Sequence, residues 1–181
     1  MILHFSNDEK DYLTYQLYIS SKSPQIKKRR WKNRNLIPIF YLAMAVYFLL
    51  TEHYVAAGFF IFFAVIWYFI YPIREKKRYI KYYEAFNKEY FSERFGRPIS
   101  LEITDDTLIT ADGSSETKVA TTEIEAINEI SPLMFIKLKT GSSYIVPKAK
   151  IENVDAARTR LMVLASHLGI PYNREEDWQW K

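Results

Sequence analysis

The residues of this chain that could do chemistry are few and scattered. Its three histidines, His4, His53 and His167, fall in three different segments, and only the first and last could meet, if the segment carrying His4 docks near the helix carrying His167. No carboxylates stand beside them at ligand spacing, so the pattern does not read as a zinc site. Asp105, Asp106 and Asp112 lack the spacing of a calcium loop and read as turn residues. Gly141-Ser142-Ser143 lacks the second glycine and the strand–turn–helix setting of a nucleophile elbow. Glu52 and His53 read as the solvated tip of a turn. Cysteine is absent, which removes disulfides, thiol catalysis and cysteine-based metal sites. With only 5 glycines there is no glycine-rich loop to cradle a phosphate. These residues predict a protein that is not an enzyme and holds no metal or cofactor.

The strongest chemical signal is clustered positive charge. One run holds Lys27, Lys28, Arg29, Arg30, Lys32 and Arg34, and a second holds Arg74, Lys76, Lys77, Arg78 and Lys81. Residues 1–97 carry 16 Lys+Arg against 8 Asp+Glu, and residues 98–181 carry 9 against 13. The acidic half argues against a general nucleic-acid binder, whose affinity comes from neutralising phosphates. The basic half suits an anionic membrane surface, where each juxtamembrane Lys or Arg contributes about 1 kcal/mol. Both runs are candidate lipid-contacting residues; setting topology is their simpler role.

The apolar segments between the two runs explain their position. Leu36 to Leu50 contains no charge, and Tyr54 to Ile73 is a second charge-free run. A membrane span takes about 20 mostly apolar residues, so residues 35–52 and 54–73 are predicted to form a transmembrane helical hairpin. Neither run shows the polar face of a soluble amphipathic helix. Trp31, Trp67, Tyr68 and Tyr71 stand where interfacial aromatics belong. Lys and Arg flank the outer ends of the pair and are missing from the turn between them, which places both termini in the cytoplasm of a bacterial cell, at the inner membrane. The first apolar run lies too far into the chain, and lacks a cleavage pattern, for a signal peptide.

Residues 1–34 read as an N-terminal strand (Ile2–Phe5), an amphipathic helix and the basic segment. Ser6 is the expected N-cap, with Glu9 completing a capping box and Phe5 as a hydrophobic staple. The helix, to about Ser20, could pack on a partner or lie on headgroups, and Pro24 breaks its pattern. Residues 74–97 read as a juxtamembrane helix with an aromatic stripe of Tyr79, Tyr82, Tyr83, Phe86 and Tyr90 at helical spacing. The stripe is a candidate partner-binding face; packing is its simpler role. From Pro98 the period changes to two. Alternating Ile99, Leu101 and Ile103, the Asp112-Gly113 and Thr140-Gly141 turns, and further strands through Tyr144–Val146 predict a bent antiparallel sheet. A helix from about Ile151 to Leu168, stopped by Gly169 and Pro171, caps it. The sheet domain spans 98–173, and 174–181 forms a tail that is flexible or loosely docked.

This order of parts, with Ile99–Thr110, Glu123–Ile130 and Tyr144–Lys148 before the helix ending Leu168-Gly169, resembles the YcxB-like family of bacterial membrane proteins. The resemblance implies a pleckstrin-homology-like (PH-like) C-terminal domain and the entry of Ile2–Phe5 into its sheet across the membrane hairpin. It implies no activity. The chain departs from the family pattern at Lys118–Thr122, where an aromatic residue is expected. The fold expected is thus α+β, a two-helix transmembrane hairpin plus a PH-like bent antiparallel sheet capped by a helix. The function expected is a membrane-anchored, non-enzymatic module that binds a protein or lipid headgroup at the inner leaflet. An immunity protein that neutralises a membrane-acting toxin is the alternative, with the cognate toxin as its partner. A membrane hydrolase using the histidines is a third and weaker reading.

Overall fold

A computed structural model describes residues 1–113 and 115–180. Ser114 in the expected hairpin turn and Lys181 at the end of the expected tail lie outside them. The chain is α+β, with two long apolar packed helices followed by two β-sheets and a C-terminal helix. It divides into two compact units, one made of 1–15 and 85–179, the other of 16–84 with Trp180.

The β unit contains β1 (Ile2–Ser6), β2 (Pro98–Ile103), β3 (Thr107–Ala111), β4 (Glu116–Ala120), β5 (Ile124–Ile130), β6 (Leu133–Leu138), β7 (Ser143–Pro147), α4 (Val154–Leu168) and β8 (Tyr172–Glu175). One antiparallel sheet runs β1-β2-β3-β4, the other β7-β6-β5-β8. β1 pairs with β2 across the whole intervening chain, from Ile2 opposite Glu102 to Ser6 opposite Pro98. The pairing follows from alternation: Leu3 and Phe5 turn inward while Ile2 and His4 face out. One core joins Leu3, Leu101 and Leu108 of the first sheet to Ile127 and Ile136 of the second and Leu161 of α4. The Asn153 side chain caps α4 by accepting from Ala156 N at 2.9 Å, and Gly169 ends it at φ 65°.

Three local expectations are corrected here. Ser6 is not the N-cap, because pairing with Pro98 keeps it in β1. Asp8 and Asp11 form the reciprocal cap instead, each backbone N–H donating to the other's carboxylate at 3.0 and 2.9 Å, and α1 spans Glu9–Lys22. Phe5 is a core residue of the sheet, not a staple. The first two residues of the expected 174–181 tail are also strand: Tyr172–Glu175 runs in parallel register with β5, Ile127 opposite Tyr172 through Ile130 opposite Glu175. The free edge of β5 offers backbone partners that a tail read from composition does not reveal.

The helical unit is built on α2 (Pro24–Leu50) and α3 (Tyr54–Phe91), the last turns of α3 belonging to the β unit. Pro24 ends the α1 pattern as expected and also opens α2, where its missing N–H costs nothing, and Ser23 caps the helix by accepting from Ile26 N at 3.4 Å. The basic run and the first apolar run are therefore one helix. α3 likewise continues through Pro72, so the second apolar run and the juxtamembrane segment are also one helix. Large side chains on both helices face outward, among them Phe40, Leu50, Val55, Phe59 and Phe69, while Ala45, Ala57 and Ala64 are buried. Small residues inside and large ones outside invert the pattern of a water-soluble helix pair.

Candidate functional site

The basic runs mark the first candidate. On α2, Lys27, Lys28, Arg29 and Lys32 are exposed, and on α3 so are Arg74, Lys76, Lys77, Arg78 and Lys81. Arg30 and Arg34 differ, for both are half-buried. Arg30 Nε donates to Glu75 Oε2 at 2.8 Å, and Tyr71 OH donates to Glu75 Oε1 at 2.9 Å. Glu75 is the buried centre of this group, only 4% exposed. Trp180 packs on the Arg30 partner of Glu75, with the guanidinium 4.6 Å from its ring and the Tyr79 ring tilted against it at 5.2 Å. The Arg34 guanidinium lies 4.1 Å above the Tyr68 ring. Trp67 packs on Tyr71 at 5.6 Å with its Nε1 enclosed and unpartnered, whereas Trp31 is exposed.

The aromatic stripe is divided between the units. Tyr79 lies beneath Trp180 and Tyr83 hydrogen-bonds Ser20, while Tyr82 is exposed in the same unit. In the β unit Phe86 packs on Tyr90 and Phe91, and Tyr90 is exposed.

A second charged group sits in the β unit. Glu129 on β5 is fully buried and receives Arg158 Nη2 at 2.9 Å, the Lys148 ammonium at 2.5 Å and Tyr172 OH at 2.6 Å. Burial pushes its carboxyl up, but the bonds from Arg158, Lys148 and Tyr172 outweigh burial and hold it at about 2. Burial, and then the bond to Glu129, pushes the Tyr172 phenol up. Beside this group opens a cleft of about 630 Å³ lined by Lys148, Arg158 and Glu176 and by Asp8, Asp11 and Lys150. Lys150 bridges Asp8 and Asp11 at 2.8 and 2.6 Å. Its bond to Asp8 is the main cause holding that carboxyl below the usual range. Carboxylates bind the cations lining this cleft at Lys148, Lys150 and Arg158, so the charges neutralise one another and lock strands to helices.

Sequence reasoning missed both centres. Glu75 carried a faint signal as the lone acid among the cations of 74–81. Glu129 carried none, because its partners lie 19, 29 and 43 residues away. His4, His53 and His167 are all exposed, on β1, in the α2–α3 turn and on α4. Among the described residues no group of three His, Cys, Asp or Glu could hold a metal ion.

No protein-family model matches the chain, and no curated protein matches it.

Proposed function

We propose that the chain is a membrane-anchored interaction module without a catalytic centre. In this reading α2 and α3 cross the bacterial inner membrane as a hairpin, both termini are cytoplasmic, and the β unit works at the inner leaflet on a protein or lipid headgroup. One observation carries the reading. Only 11% of each apolar window of α2 and α3 is buried, and what they bury is largely alanine. A helix of a soluble core would bury its large apolar side chains. Here those side chains face away from the protein, where lipid is the solvent that accepts them at no cost.

The β unit fits a PH-like domain. Four antiparallel strands, three more, and a helix packed on both sheets support that assignment, with β1 contributed from before the hairpin. The same order of parts supports kinship with the YcxB-like family. The cysteine-free sequence makes topology directly testable. His53→Cys in the α2–α3 turn should react with an impermeant maleimide on intact spheroplasts, and Ser142→Cys in the β6–β7 turn only in inverted vesicles. Labelling of both from one side refutes the topology. A purified chain that stays monodisperse in buffer without detergent refutes the membrane reading itself.

A further inference from the structure

Arg34 is the last charged residue of α2 before its apolar run, and unlike the exposed cations of the two basic runs it is half-buried. Arg30, one turn earlier, has Glu75. Arg34 has no carboxylate partner among the described residues, and its Nε is enclosed without an acceptor. Its guanidinium lies over Tyr68, which is six residues inside the second apolar run when measured back from Arg74. At 1.5 Å per residue that is about 9 Å along the helix. An isolated cation at that depth is expensive unless an anion meets it or the side chain reaches the interface.

The backbone at the same level is also open. Pro38 and Pro72 follow Arg34 and Tyr68 by four residues. Each proline lacks the N–H that would bond the carbonyl of Arg34 or Tyr68. Two freed acceptors and one unpaired guanidinium thus share one polar level of an otherwise apolar helix pair. The Tyr68 ring holds the guanidinium at 4.1 Å, and with Nε enclosed on a partly exposed residue, the terminal nitrogens are left to meet a ligand. A planar fork held in this way matches the two free oxygens of a phosphate diester. We propose that Arg34, held on the Tyr68 ring, binds the phosphodiester of one inner-leaflet phospholipid. The site rests on the membrane reading above and adds to it a single lipid at a defined place.

The test is native mass spectrometry of the full chain released from detergent micelles and titrated with phosphatidylglycerol. One lipid should remain bound at low lipid concentration. Arg34→Gln should weaken that binding about tenfold or more. Arg34→Lys should not restore it, because an ammonium has no fork. Tyr68→Phe should bind as the parent does and Tyr68→Leu should not, which keeps the test open if Arg34→Gln folds poorly by circular dichroism. Lys118→Gln, an equal charge change on β4, should leave binding unchanged. Parent-like retention in Arg34→Gln overturns the site. So does complete displacement by millimolar inorganic phosphate, which would make the ligand a soluble one. Either result in a chain that still requires detergent leaves the membrane reading standing, whereas a detergent-independent chain removes both.

Discussion

Glu129→Gln keeps the shape of a side chain that is 0% exposed and deletes its charge. Arg158 and Lys148 then lose the carboxylate they share, and Tyr172 OH loses a charged acceptor. Two routes give the cost. The carboxyl is held at about 2 against an ordinary 4.5, and a difference of that size corresponds to about 3 kcal/mol of stability. Removing one member of a buried ion pair costs about 3–5 kcal/mol, and the low end applies here. Arg158 and Lys148 keep 19% and 11% side-chain exposure, with Glu176 at 4.0 and 3.8 Å as a substitute partner. Because the folded pKa is depressed, the stabilisation is complete above the unfolded value of about 4.5 and is lost as pH falls toward about 2. Hydrogen–deuterium exchange of the full chain in detergent measures this on peptides from β5 and β6. At neutral pH the variant should lose about a hundredfold of protection there. The gap between parent and variant should narrow steadily below about pH 4.5. A change under about threefold at neutral pH, or a gap that widens with acid, refutes the reasoning.

Two further substitutions probe the helix pair and a helix end. Ala57→Leu adds volume at a residue 1% exposed between α2 and α3, and overpacking of about 1–3 kcal/mol should separate the helices. A short bismaleimide should then link cysteines placed at Phe48 and Phe60, whose rings stack at 5.4 Å, less efficiently than in the parent. Gly169→Ala and Gly58→Ala both add a methyl with nothing within 4 Å, but Gly169 has φ +65 and Gly58 lies inside α3. The first should destabilise α4 by about 1–2 kcal/mol and the second should not destabilise α3. Equal exchange rates in the last turn of α4 for parent and Gly169→Ala contradict the left-handed constraint.

The legible parts of this protein were those written in neighbouring residues. Charge-free runs of fixed length, flanked by Lys and Arg, marked α2 and α3. The period-two pattern after Pro98, with Asp112-Gly113 and Thr140-Gly141, marked most strands, and Gly169 marked the end of α4. Local signals also misled. Ser6 and Glu9 satisfy a capping-box spacing, yet strand pairing with β2 outcompeted the cap and moved the helix start to Asp8. Pro24 was legible as the end of the α1 pattern, but not as the first residue of α2, a place its missing N–H suits.

The sequence alone determined the element types, the two helices long enough to cross a bilayer and the distribution of charge, because each depends on residues a few positions apart. Tertiary structure alone decided that β8 would extend the second sheet, that Trp180 would pack on Arg30 and Tyr79, and that Glu129 would gather Lys148, Arg158 and Tyr172. It also decided that Arg34 would lie on Tyr68 with no carboxylate partner among the described residues. Those outcomes depend on which distant groups arrive together once the chain is folded, and a buried charge or an open strand edge takes whichever partner the fold delivers.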